Sequence, residues 1–162
     1  MKKFFVAIVA AVIAFGATST TASAQKKLAD NFMNVGIHTG ALGEGALGLG
    51  VNFDFNAGNW RGRLLIDGAN LFNDAPAVIA PAVDFHYLVP VVGGLDVYPI
   101  VGVNGWISTD KNAPFNLGTD LGLGIEYRFT DAFSLFAEGK WQYMILEAGK
   151  HYTGIFGCTF AL

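Results

Sequence analysis

Strict two-residue alternation over 117–143, LGTDLGLGIEYRFTDAFSLFAEGKWQY, constrains this chain more than any other feature. Leu117, Thr119, Leu121, Leu123, Ile125, Tyr127 and Phe129 share one parity. Gly118, Asp120, Gly122, Gly124, Glu126 and Arg128 share the other. Successive side chains of a strand point to opposite faces, so the stretch reads as two antiparallel strands joined at Thr130-Asp131-Ala132. Each has an unbroken apolar face and a face of glycine and charge. The second sets Phe133, Leu135, Ala137, Trp141 and Tyr143 against Ser134, Glu138, Lys140 and Gln142.

The same pattern recurs along the chain and predicts about eight strands. The first runs from about Phe32 to Gly40, with Val35, Ile37 and Thr39 on one face. Over 46–55, Leu47, Leu49, Val51, Phe53 and Phe55 alternate with Gly48, Gly50, Asn52 and Asp54. The third strand, about Trp60 to Ala69, sets Trp60, Leu64 and Ile66 against Arg61, Arg63 and Asp67. The fourth, about Val78 to Leu88, sets Ile79, Val83, Phe85 and Tyr87 against Asp84 and His86. The fifth, about Leu95 to Trp106, sets Leu95, Val97, Val101 and Val103 against Asp96 and Asn104. The last, Tyr152 to Leu162, sets Tyr152, Phe156, Cys158, Phe160 and Leu162 against Thr153, Gly157 and Thr159. Tight turns around 56–59, 90–94 and 130–132 alternate with longer connections at 40–46, 69–77, 107–116 and 144–151. Pro81 and Pro99 fall inside predicted strands, and a bulge is expected at each because proline donates no ladder hydrogen bond.

The apolar face is too extensive for a water-facing surface. Of the 162 residues 52% are hydrophobic and only 14% charged, against about 25% charged in ordinary soluble domains. A net charge of -3 gives no electrostatic footprint for nucleic acid. Met1-Lys2-Lys3, the apolar run Phe4 to Phe15 and Ala22-Ser23-Ala24 form the three regions of a secretory signal peptide. Residues 1–24 are therefore expected to be a signal peptide cleaved after Ala24, with 25–162 as the mature domain and 25–34 as a short polar leader. Cys158 is the single cysteine, so no internal disulfide is possible.

An exported chain with no long apolar helix, and with strands of about ten residues that are greasy on one face, fits a transmembrane sheet. Every backbone group in lipid must be paired, so such a sheet has to close. The expected fold is all-β: an eight-stranded antiparallel up-and-down transmembrane β-barrel. Lipid meets the apolar face, and the narrow lumen holds the polar one. Glycines 48, 50, 118, 122 and 124 would then leave room for Arg61, Arg63, Arg128 and Lys140. Those bases face Asp54, Asp67, Asp84, Asp96, Asp120, Glu126 and Glu138, and buried charges must pair. A polar plug is expected rather than an open pore. Two girdles of outward aromatics are expected at the membrane interfaces. One comprises Phe53, Phe55, Trp60, Phe85, Tyr87, Tyr127, Phe129, Phe133 and Phe160 beside the short turns. The other comprises Trp141, Tyr143 and Tyr152 beside a long connection.

The stretch 118–143, with its glycine-alternating strand, EYRFTD turn and SLFAEGKWQY return strand, resembles the outer-membrane protein beta-barrel domain family. These are the small eight-stranded barrels related to OmpA and OmpX. LDVYPIVGV at 95–103 is similar to another family stretch. The resemblance implies location in the cell outer membrane of a Gram-negative cell, contact with outer-membrane lipid, and handling by periplasmic chaperones and the barrel assembly machinery. It also implies a monomer with its N-terminus on the periplasmic side. The final strand is similar to the assembly signal but departs from it by ending in Leu162, with Phe160 two residues earlier. A peptidoglycan-clamping domain, present in longer relatives, is not expected.

No chemical motif survives its context test. Gly43-Glu44-Gly45-Ala46-Leu47-Gly48 matches a dinucleotide fingerprint, which requires a following helix; a strand pattern follows. His38, His86 and His151 lack ligand spacing, and Ser134 is expected at the opposite end from His151. Glu126 and Glu138 are read as members of an ion network with neighbours Arg128 and Lys140. No catalytic, cofactor or metal site is expected, and the chain is read as a non-enzyme with a structural or surface role. The alternatives are a soluble lipocalin-like ligand carrier, which needs apolar residues inside, and a lipid-modifying outer-membrane enzyme.

Overall fold

Nine strands form one closed antiparallel sheet in the computed structural model, which describes residues 31–43, 46–71, 75–110, 115–146 and 149–162. Residues 1–30, which include the expected signal peptide and most of the expected leader, lie outside the described residues, as do 44–45, 72–74, 111–114 and 147–148. The strands are β1 (Met33–Leu42), β2 (Ala46–Ala57), β3 (Trp60–Ala69), β4 (Val78–Tyr87), β5 (Val89–Val92), β6 (Leu95–Ser108), β7 (Phe115–Thr130), β8 (Phe133–Met144) and β9 (Gly149–Ala161). Around the ring β1 to β4 pair in chain order, as do β5 to β9, and β1 pairs with β9 to close it. Strands β4 and β5 both pair with β6 in one register, Val83↔Val103 and Val89↔Val97, so they form a single barrel stave interrupted at Leu88. The architecture is the expected eight-stranded up-and-down barrel.

The interruptions show how the prolines are accommodated, and here the expectation of bulges is corrected. Register between β4 and β6 is unchanged from Val78↔Ser108 to His86↔Ile100, but the pairs at Ala80 and Pro81 are missing from the ladder. Likewise Tyr87 and Leu88 have no ladder partner opposite Pro99 and Tyr98. On their other sides Pro81 pairs with Ile66, and Pro99 with Leu123. Each proline deletes a donor without adding a residue, so the ladder opens locally and the register holds. The register shifts lie instead at the strand ends, between Pro90 and Val92 and between Arg128 and Thr130.

One rim carries the short turns. Ala57 pairs with Trp60 around Gly58, whose φ is 63°. Gly93 and Gly94, at φ 52° and 90°, make the β5–β6 turn, where both central residues need positive φ. Ala132 donates its backbone N–H to Thr130 Oγ1 at 3.2 Å in the β7–β8 turn. Both described chain ends sit on this rim: Asn56 donates to the Phe32 carbonyl and Leu162 to that of Met33. The opposite rim carries the longer connections.

Burial follows parity around the whole ring. Leu47, Ile66, Val101, Leu121, Ile125 and Phe156 are exposed on the outer face, while Asn52, Asp54, Arg63, Asp84, Glu126 and Ser134 are buried in the lumen. The lumen is not uniformly polar, which corrects the expectation of a purely polar plug. Leu42, Leu65, Ala69, Ala82, Phe136 and Ile155 form an apolar cluster in it, with Ala46, Val78 and Trp106 packed against them toward the loop rim. Leu88, Tyr98 and Ile100 form a second cluster toward the turn rim.

Candidate functional site

Between those clusters lies the one concentrated chemical feature among the described residues, a cross-lumen ion network. Strand β3 supplies its two central cations. Arg61 reaches across the barrel to β7, donating from Nη1 to Glu126 Oε2 at 2.6 Å and from Nη2 to Oε1 at 3.2 Å. Its Nε donates to Asn56 Oδ1 at 3.0 Å. Arg63 forks onto neighbouring Asp54 with two bonds of 2.7 Å, and its remaining Nη1 pairs with Glu138 on β8. The Tyr98 hydroxyl donates to that same Glu138 Oε1 at 2.9 Å. Both guanidiniums also lie over aromatic faces. Arg63 is 4.3 Å from the Phe136 ring centroid and Arg61 5.9 Å from that of Tyr98.

A second branch runs toward the loop rim. Lys140 Nζ sits 2.9 Å from Asp84 Oδ2 and 3.8 Å from Asp120 Oδ2. Asp120 accepts from Asn104 and from Gln142, and Gln142 in turn accepts from Thr153 at 2.8 Å. His38 Nε2 meets Asp67 Oδ1 at 2.5 Å. At the turn end Arg128 pairs with Asp96 at 3.1 Å.

All nine lumen charges singled out in the sequence, Arg61, Arg63, Asp67, Asp84, Asp120, Glu126, Arg128, Glu138 and Lys140, are buried. The partners differ from the sequence reading. Glu126 and Glu138 pair with Arg61 and Arg63 from the far wall, not with Arg128 and Lys140 beside them. Strand stagger brings together residues 65 and 75 positions apart, which spacing along the chain cannot reveal. The role given to the glycines is also corrected. Of the five, only Gly122 makes room for one of the named bases, Lys140. A Cβ on Gly124 would sit 2.2 Å from the Tyr98 ring, and one on Gly50 2.3 Å from both Asp67 and His38. Tyr98, Phe136 and His38 are thus members of the site that the sequence reading passed over. Their inward parity was the available signal.

The structure also brings Glu138 to a pair of inward groups that the sequence placed on a different strand. Asp84 and His86 on β4 and Glu138 on β8 place a carboxylate oxygen, a ring nitrogen and a second carboxylate oxygen within 4.8 Å of one another. Ser134 lies near the turn rim, paired with Arg128 and Thr159, and His151 lies opposite Gln142 near the loop rim. His151 is in β9 rather than in a loop and stacks on Trp106 at 5.3 Å. After the glycine motif a strand does follow, from Ala46.

The aromatics gather on the outer face at the two rims. At the turn rim Tyr127, Phe129, Phe133 and Phe160 form a chain of contacts with centroids 4.8, 5.8 and 5.3 Å apart. Trp60 packs on Tyr87 at 4.9 Å, and Phe55 on Phe32 at 6.1 Å. Phe85 is exposed beside them and Phe53 half-buried. Toward the loop rim Trp141, Tyr143 and Tyr152 are exposed, with Lys150 Nζ 5.5 Å above the Trp141 ring.

No protein-family model and no curated protein matches the chain. Solved structures do. The N-terminal β-barrel domain of OprF from Pseudomonas aeruginosa superposes with a TM-score of 0.68 at 18% identity, covering 80% of this chain and 96% of that one. The fold is that of the small outer-membrane barrels. A major outer membrane protein of Thermus thermophilus gives a TM-score of 0.57 at 13% identity over 80% of this chain and 98% of that one. Neisserial surface protein A gives 0.56 at 12% over 80% and 95%.

Proposed function

We propose that this protein is an integral outer-membrane barrel with a structural or surface role and a lumen closed to solutes. One observation carries the reading: polarity is inverted around the entire ring, with large apolar side chains outside and ionised ones inside. A soluble ligand-carrying barrel needs the reverse arrangement. Dimensions support it. Tyr127 and Thr119, the latter level with Tyr143, are eight residues apart on β7. At about 3.4 Å per residue and a tilt near 40°, that is about 21 Å, close to the roughly 25 Å apolar band of outer-membrane barrels. The aromatic belts take up the interfaces, and lipid covers the face between them. Periplasmic chaperones and the barrel assembly machinery deliver a monomer, its turn rim toward the periplasm. The cross-lumen arginine pairs and the apolar clusters support a closed lumen. The separation of Ser134 from His151 supports a non-enzyme.

Fractionation tests the location. The protein is expected in the outer membrane, as a band whose gel mobility changes on boiling. Recovery in the soluble periplasm would point to the ligand-carrier alternative and refute the reading. Planar-bilayer recordings test the closed lumen, and large steady conductance would overturn it. Acyl transfer or hydrolysis by the refolded barrel on phospholipid would overturn the non-enzymatic part.

A further inference from the structure

We infer that Asp84, His86 and Glu138 form a binding site for one first-row divalent cation of the zinc class, clamping β4 to β8 across the lumen. The inference concerns the interior alone and holds whether or not the barrel spans a membrane.

Geometry is the first support. The three donor atoms lie within 4.8 Å of one another. Zinc bound at about 2.0–2.2 Å to nitrogen and carboxylate oxygen holds tetrahedral ligands about 3.3–3.6 Å apart, so modest side-chain rotation closes the three onto one ion. The second support is hydrogen-bond accounting. Asp84 uses Oδ2 on Lys140, and Glu138 uses Oε1 on Arg63 and Tyr98. Asp84 Oδ1 and Glu138 Oε2 are buried with no hydrogen-bond partner. Both ring nitrogens of His86 are also unpartnered, although the residue is fully buried. Its ring is held by stacking on Tyr98 at 4.8 Å and 15°. Buried polar atoms are nearly always satisfied, so four such atoms on one cluster point to a missing partner. A divalent cation accepts lone pairs from an imidazole and two carboxylates together.

Charge is the third support. The described lumen buries seven carboxylates, Asp54, Asp67, Asp84, Asp96, Asp120, Glu126 and Glu138, against Arg61, Arg63, Arg128 and Lys140. Even with His38 counted as a cation toward Asp67, two negative charges remain. A single divalent ion offsets both. Lys140 and Arg63 flank the site without taking up its free donor atoms, and they orient the carboxylates as outer partners commonly do around metals. An imidazole among the ligands favours a zinc-class ion over calcium or magnesium, which prefer all-oxygen shells.

The test uses the full chain refolded into detergent micelles with Zn2+, because the site is closed once the barrel has formed. After gel filtration, elemental analysis is expected to find about one zinc per barrel. His86→Gln, which leaves the carboxylate pairs in place, is expected to retain at least tenfold less, and His151→Gln as much as wild type. Zinc is expected to raise the temperature at which the folded gel band is lost in wild type but not in His86→Gln. Retention of less than a tenth of an ion by wild type overturns the site, and so does undiminished retention by His86→Gln. If His86→Gln does not refold, the visible spectrum of Co2+-loaded wild type decides. Intense bands of a four- or five-coordinate ion support the site, and the weak spectrum of a hydrated ion overturns it.

Discussion

At the scale of single residues Arg63 ties strands β2, β3 and β8 together inside the lumen. It forks onto Asp54, reaches Glu138 and covers the Phe136 ring, all out of contact with water. Arg63→Met keeps the stem but removes the forked cation from Asp54 and the ion-pair partner from Glu138. Removing one partner from a buried pair costs about 3–5 kcal/mol, so urea unfolding of the refolded barrel is expected to lose that much stability. Gly124 is the second sensitive position. Gly124→Leu drives a side chain into Tyr98 and is expected to cost about 1–3 kcal/mol as overpacking; a variant as stable as wild type would show that Tyr98 can move aside. This scale was only partly legible in the sequence. Parity placed Arg63 and Glu138 inward, but it carries no information about which inward groups meet across the lumen. The Arg61–Glu126 pairing depends on the stagger between β3 and β7, a property of the closed ring.

At the scale of the strand, outer positions should grade with depth. Leu123 lies midway along β7 beside Pro99 and Gly139, whereas Phe129 lies at the turn rim. Leu123→Lys is expected to destabilise the barrel in phospholipid vesicles by about 2–4 kcal/mol, and Phe129→Lys by about 1 kcal/mol or less. Equal penalties would contradict an apolar slab around the ring. Strands were the most legible feature of the sequence, because a period of two is unambiguous over ten or more residues. The segment at Trp60–Ala69 emerges where the alternation put it, and the one read over 46–55 runs two residues further, to Ala57. The prolines were read less well. A missing donor can be absorbed by a bulge or by an open stretch of ladder, and Pro81 and Pro99 take the second course.

At the scale of the whole molecule the proposed function requires that lipid covers the exposed apolar face. The three tryptophans report on it directly. Trp60 and Trp141 are exposed on the outer face, while Trp106 packs against the apolar cluster in the lumen and stacks on His151. The sequence showed the alternation that makes this inversion possible, and Trp106 keeps the inward parity of Asp96 and Asn104. Variants keeping a single tryptophan, refolded into vesicles whose acyl chains are brominated near the headgroup, measure lipid contact by fluorescence quenching. Lipid coverage predicts strong quenching of Trp60 and Trp141 and weak quenching of Trp106. Equal, weak quenching of all three would contradict it.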